Sequence, residues 1–267
     1  MSDKILRHGH SSDTAANWRN NNPILGKGEI AIESDTGKFK FGNGVNNYND
    51  IDYSLSNLVN EEVIERIKYY GDPDIIPSDE SYFTVNETGE TITGLTDTGK
   101  AQTKLVIPYK INNIEITELS SDTFGASILD GNTVIRKVVI PNSVTTIGYG
   151  AFYGRTSLTS VNIPNSVTSI IYGAFESCTS LIKINIPNSV KNIGDKAFKD
   201  CTSLTSINIP NGVGDIGEET FEGCTSLKSI NIPNSVTGIG NGAFMGCKSL
   251  KTINIPSSVT SINWSAF

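Results

Sequence analysis

The sequence predicts a mainly β chain: a small β module at the N-terminus, a short helical neck, then a solenoid of 23-residue coils. The first observation behind this is a fixed period. Pro141, Pro164, Pro187, Pro210, Pro233 and Pro256 fall 23 residues apart, and Phe152, Phe175, Phe198, Phe221, Phe244 and Phe267 keep the same step. So do Cys178, Cys201, Cys224 and Cys247. The second is alternation within the unit, where Val161 and Ile163 interleave with Ser160 and Asn162, the period-two mark of a half-buried strand. The third is that the first 70 or so residues lack this period and carry turn signals of their own. A repeat of this size buries its apolar side only against its neighbours, so the coils must stack. Such a stack offers a long regular surface and no natural catalytic pocket, which favours binding over catalysis.

Taking the coil from Leu158, Pro164 cannot donate to a ladder and should end the strand. Val167 and Ile170 re-enter the core in a second short extended piece. Ala174-Phe175 follows, with Phe175 the largest core group, and Cys178 and Leu181 close the turn. One cysteine per coil at the same inward site predicts buried, free thiols, since buried free Cys packs as a small apolar residue. A straight column does not converge on a metal as zinc ligands must. Gly148, Gly194, Gly217 and Gly240 share a column with Ile171 and Asn263. A β-branched residue at positive φ is a costly outlier, so this glycine should give room rather than a left-handed backbone, with a slight distortion at Ile171. The last unit stops at Phe267, mid-repeat. An open end exposes core and a strand edge, so either a partner covers it or the chain is truncated there. Trp264, unique to that unit, is expected to act as a partial lid or as a contact with another chain.

This pattern resembles the BspA-like leucine-rich repeats over about residues 82–267. Tyr82-Phe83-Thr84-Val85, Glu90 to Leu95 and Leu105-Val106-Ile107-Pro108 look like that family's cap and first strands. Ile111 to Leu119 with Phe124 looks like a divergent first repeat, its extra residues expected as loop around Ala126–Thr133.

Upstream, Glu29 to Glu33 and Lys38 to Phe41 read as strands around the turn Ser34-Asp35-Thr36-Gly37. The module is too small for a large core, so oligomerisation is an expected source of stability. Its ordered signatures are Arg7-His8-Gly9, Ala15 to Leu25 around Trp18 and Pro23, Gly28 to Gly44, and Tyr48-Asn49-Asp50-Ile51. They are similar to the N-terminal domain of the phage major tropism determinant. That resemblance implies a threefold, β-prism-like module that anchors a fibre to a virus particle. Leu58, Val59, Val63, Ile64, Ile67 and Tyr70 then recur at helical spacing, either as a three-stranded neck or as a helix packed on its own domain. The expected divisions are 1–54 for the anchor and trimerisation module, 55–81 for neck and linker, and 82–267 for the solenoid, with 82–140 as cap and divergent first repeat.

Charge is uneven. Residues 1–140 hold thirteen Lys/Arg against twenty-one Asp/Glu, and residues 141–267 hold eight against seven. No basic stripe shows in the sequence of either half, which argues against nucleic acid as a partner. No apolar run approaches the roughly 20 residues that span a bilayer, and the start lacks a secretory core. The chain is therefore expected to be soluble when made, without membrane insertion. His8-Gly9-His10 is the only histidine pair. On a threefold axis it would present six imidazoles, but exposed or hydrogen-bonded rings are the plainer reading, and no metal or cofactor is expected. With no histidine after residue 10, a Ser-His or Cys-His pair has little support. Glu218, Glu219 and Glu222 do not form a recurring, facing acid pair. Gly42-Asn43-Gly44 is too short for a phosphate loop. No enzyme activity is expected.

The best binding candidates are the outward strand columns. One holds Asn162, Asn185, Asn208, Asn231 and Asn254, and the next Ser160, Lys183, Ser206, Ser229 and Thr252. They form either a structural amide ladder or a polar platform for a glycan or surface protein. Tyr149, Tyr153 and Tyr172 add aromatics near the first rungs. The expected whole is a trimeric phage fibre or fibre-like virion protein. It would dock on tail, baseplate, collar or head proteins through the N-terminal region and display its repeats to a host glycan or protein. A structural head-fibre or collar part, and a bacterial surface adhesin, are the alternatives.

Overall fold

The computed structural model describes residues 30–32, 39–41, 61–71, 75–120 and 134–267. These fall into two compact units, Met1–Asp74 and Ile75–Phe267. In the first, Ile30–Ile32 and Phe39–Phe41 form an antiparallel pair in the register Ile30↔Phe41 and Ile32↔Phe39. This fits the two strands read from the sequence; the turn between them, His8 and His10 lie outside the described residues. A helix runs from Glu61 to Tyr70. Lys68 in its last turn suits the helix dipole. Leu58 and Val59, expected on the same helix, also lie outside the described residues.

The second unit is the solenoid, with three sides that each bond differently. The first side is a parallel ladder of strands ending just before each proline. Lys104–Val106, Lys137–Val139 and Ser160–Asn162 pair in order. Lys183–Ile184, Ser206–Asn208 and Ser229–Asn231 form a second sheet, extended by a bridge from Asn231 to Asn254. Seven rungs are thus stacked. The second side carries the short strands Glu118–Leu119, Thr146–Ile147, Ser169–Ile170 and Asn192–Ile193, then, after a gap, Asp215–Ile216, Gly238–Ile239 and Ser261–Ile262. At the N-terminal end Thr91–Leu95 pairs with Glu118–Leu119 and, antiparallel, with Phe83–Val85, so a hairpin closes the stack. Ser78, in the stretch expected as linker, donates its N–H to Val106 O at 2.8 Å. Its hydroxyl accepts from Val106 N at 3.0 Å, tying that stretch to the first rung.

The third side is a ladder of turns and has no interruption. Phe152 N donates to Ala174 O, and the same bond recurs from Phe175, Phe198, Phe221 and Phe244 at 2.7–2.9 Å. Two columns of left-handed residues flank this turn. One is Gly150, Gly173, Lys196, Glu219, Gly242 and Ser265, and the other Gly154, Ser177, Asp200, Gly223 and Gly246. The Gly148 column is not among them, as the sequence implied. Those glycines give room, because a Cβ on Gly240 would sit 2.6 Å from the carbonyl carbon of Gly217.

The core is one continuous column from Phe83 to Ala266. The Phe rings stack nearly parallel, with centroids 5.1–5.7 Å apart. Each cysteine thiol donates to the Phe carbonyl of the previous coil at 3.1–3.2 Å. All four are free. Cys178, Cys201 and Cys224 are buried; Cys247, in the last complete coil, is only half-buried. The distortion expected at Ile171 is absent, for Ile171 N reaches Ile147 O at 2.9 Å like its neighbours. The second ladder opens one coil later, between Asn192–Ile193 and Asp215–Ile216. There the Lys191 side chain lies in the space over Gly212 and the Asp195 carboxylate in the space over Gly217. Asp195 Oδ1 takes the Glu218 N–H at 2.8 Å. Two side chains of the lower coil thus wedge into room left by two glycines.

Candidate functional site

The site begins with the alternation of the first ladder. Because Val161, Ile184, Ile207 and Ile230 turn into the core, the residues on either side turn outward. Ser160, Asn162, Lys183, Asn185, Asn208, Ser229, Asn231, Thr252 and Asn254 are exposed, and Ser206 is half-buried. Register is kept along the columns, with Lys183↔Ser206↔Ser229 and Asn208↔Asn231↔Asn254. At roughly 4.8 Å between strands, the five-member columns run on the order of 20 Å. No hydrogen bond joins the Asn side chains to one another among the described residues. The amides are left facing solvent, with donors and acceptors unused.

The three tyrosines are not part of this face. Tyr149 and Tyr172 lie just beyond the second ladder, where they stack with ring centroids 5.0 Å apart. Lys196 Nζ sits 5.4 Å from the Tyr172 ring centre. Tyr153 is exposed in the turn that follows Phe152. The strand columns and the tyrosines thus belong to different sides of the prism, and a single small ligand cannot use both.

The turn side holds an ion network that the sequence did not reveal. Lys199 Nζ contacts Glu219 Oε2 at 2.5 Å and Glu222 Oε2 at 3.0 Å, and Lys196 Nζ is 3.6 Å from Glu219 Oε2. The hydrogen bond from Lys199 holds the Glu219 carboxyl below its ordinary range. The Lys199 ammonium is correspondingly held above its own, chiefly by Glu219. Glu219 and Glu222, read from the sequence as no facing acid pair, are thus the salt-bridge partners of Lys199. Beside them, Ile171, Tyr172, Lys191, Asn192, Asp195 and Asp215 border a shallow depression of ≈ 590 Å³ at the seam of the second ladder. Among the described residues no group of three or more His, Cys, Asp or Glu is arranged to hold a metal, and no helix is long and apolar enough to cross a membrane.

Comparison with known proteins agrees with this architecture. Residues 12–46 match the major tropism determinant N-terminal domain. A leucine-rich repeat protein of T. pallidum is 28% identical, with a TM-score of 0.50 over 66% of this chain and 91% of that one. A leucine-rich cell surface protein of Faecalibacterium prausnitzii is 32% identical, with a TM-score of 0.57 over 72% of this chain and 51% of that one. A leucine-rich repeat protein of Bacteroides ovatus is 26% identical, with a TM-score of 0.50 over 71% and 55%. The chain spans about half the length of the last two. No curated protein matches it. Six copies of the BspA type leucine-rich repeat region match residues 107–182 and 145–267, and the chain belongs to that family.

Proposed function

We propose that this chain is a bacteriophage fibre or fibre-like virion protein. Its N-terminal part attaches to the particle as a homotrimer, and its solenoid is displayed for binding the host surface. The observation that carries this reading is the union, in one chain, of a segment similar to a phage tropism determinant's N-terminal domain with a repeat solenoid. The solenoid adds an outward strand face whose polar groups are not consumed by the fold. Lys199 holds Glu219 and Glu222 in ion pairs, and the repeat surface is read as a recognition surface.

Two measurements test it. Gold-labelled antibody against residues 75–267, applied to particles that contain the chain, should mark fibre tips; label confined to head or collar surfaces assigns it instead to the particle's own architecture. Light scattering of the full-length protein should give three chains per particle, and a monomer at micromolar concentration excludes the trimeric anchor.

A further inference from the structure

Charge in the solenoid is sorted by side. From residue 134 to 267 there are seven acidic residues, and all lie on the second ladder or the turns: Glu176, Asp195, Asp200, Asp215, Glu218, Glu219 and Glu222. Across the seven rungs of the first ladder, from six residues before each proline to the proline itself, there is no acid. Lys104, Lys137 and Lys183 lie on its strands, and Arg136, Lys228 and Lys251 stand one residue before the outward column that those three share; all six are exposed. Residues 134–267 hold ten Lys/Arg against seven Asp/Glu, and the acids are all on other sides than this basic stripe.

The stripe is not neutralised by the fold. None of its six cations forms an ion pair among the described residues, whereas Lys196 and Lys199 on the turn side are both paired. Lys104 and Lys137 are direct neighbours in the parallel register. Like charges opposite one another on adjacent strands are destabilising, and a surface needed only for solvation gains nothing by placing them so. The rest of the face is made of groups that donate. Lys and Arg can only donate, and the Asn amides and Ser and Thr hydroxyls each offer at least one donor. A matching ligand is rich in acceptors, negative, and long enough to follow seven rungs, or about 29 Å at 4.8 Å per strand. It is also not a nucleic acid, for the face has no aromatic side chain on which bases could stack.

We propose that the strand face binds an extended anionic glycan, a chain that bears carboxylate or phosphate groups at intervals. This inference rests on the host-binding reading above and names its ligand class. The Lys and Arg ammonium and guanidinium groups meet the anions, and the Asn column bonds the sugar hydroxyls between them. The tyrosine side takes no part.

The test uses the full-length protein at low ionic strength with four probes: polygalacturonate, poly(glycerol phosphate), neutral dextran and a single-stranded oligonucleotide. Binding to at least one of the two charged glycans, and not to dextran, is expected. Which of them binds separates carboxylate from phosphate recognition. Affinity should fall as salt screens the stripe. The Lys137→Gln/Lys183→Gln double variant should bind about tenfold more weakly. Lys191→Gln/Lys196→Gln, which removes the same charge from the other sides, should stay within about twofold of the parent. Absence of binding to both charged glycans overturns the inference. So does equal binding to dextran, equal loss in the two variants, or tighter binding to the oligonucleotide than to either glycan. Adsorption of the protein to host cells keeps the two claims apart. Undiminished adsorption by Lys137→Gln/Lys183→Gln sinks the anionic ligand but leaves host binding intact, while no adsorption by the parent protein sinks host binding itself.

Discussion

The Phe column and the Asn column each repeat once per coil, yet they are held in opposite ways. Each interior Phe ring is stacked on the one below and the one above. Its N–H bonds to the next coil and its carbonyl takes a thiol from that coil. A change at one Phe is therefore felt in three coils. Each Asn points to solvent with no bond to its neighbours in the column. The Ser160 column beside it varies freely, reading Ser, Lys, Ser, Ser, Thr. A solenoid built this way stores stability inside and leaves the strand face open to change without refolding. The largest test of that separation is Phe198→Ala against Asn208→Ala, followed by chemical unfolding of each variant. The first should lose roughly 3–5 kcal/mol, the usual range for emptying a large aromatic core site. The second should stay within about 0.5 kcal/mol. A comparable loss in both means that the outer column is structural and the two columns are not distinct.

The glycines sharpen the same contrast between positions crowded by the next coil and positions that are not. Gly240→Ala places a methyl against backbone, 2.6 Å from Gly217 C and 2.7 Å from Glu218 N, where no side chain can give way. A loss of roughly 1–3 kcal/mol is expected, as for overpacking elsewhere. Gly214, two residues before the Asp215–Ile216 strand ends, has nothing within 4 Å of its missing Cβ. Gly214→Ala should therefore be neutral or slightly stabilising. Equal costs in a thermal melt would show that the close approach at Gly240 is not what fixes that column.

Much of this was legible in the sequence, and the parts that were not share a cause. The period, the inward alternation and the free thiols follow from residues that repeat at a fixed step, with Arg155 the one departure in the cysteine column. The left-handed columns do not. Gly fills three of six places in one and three of five in the other, while Lys196, Glu219, Ser265, Ser177 and Asp200 fill the rest. Glycine serves close approach as well as positive φ; in the Gly148 column the alternates Ile171 and Asn263 mark the first use, whereas the mixed left-handed columns carry no such mark. The seam at Gly212–Gly217 depends on two side chains of the coil below, Lys191 and Asp195, so no single repeat announces it. The basic stripe follows position within the coil and not order along the chain, so a running charge balance does not show it. The tyrosines, near the strand columns in sequence, fall on another side for the same reason.

The cysteines give a chemical reading of how deep each coil lies. Burial pushes the Cys178 thiol up to about 12 and Cys247 up to about 11, and raises Cys201 and Cys224 as well. Only the thiolate reacts, so at neutral pH all four should be slow. Cys247, half-buried and least shifted of those with stated values, should be first. Thiol titration of the native protein should show one equivalent reacting ahead of the other three, with four after unfolding. Simultaneous reaction of all four would mean that the stack opens as one unit, and any disulfide between neighbouring coils would contradict the straight thiol column.

The smallest effect isolates the backbone from packing. Gly154 and Ser177 occupy the same left-handed column one coil apart, with φ of 68° and 60°. A Cβ on Gly154 would meet nothing within 4 Å, so Gly154→Ser adds strain without a clash. Ser177 N donates to Lys199 O at 2.8 Å, a bond that Ser177→Gly retains. The left-handed region costs an L-residue about 1–2 kcal/mol, and glycine's greater freedom in the unfolded chain returns about 0.5–1 kcal/mol of that. Ser177→Gly should therefore gain about 0.5 kcal/mol, and Gly154→Ser should lose about as much. Opposite signs of similar size in the unfolding midpoints would show that this column is set by φ alone, in contrast to the Gly240 column, which is set by room. If both substitutions destabilise, side-chain contacts govern the turn side as they govern the core, and the division between the two glycine roles fails there.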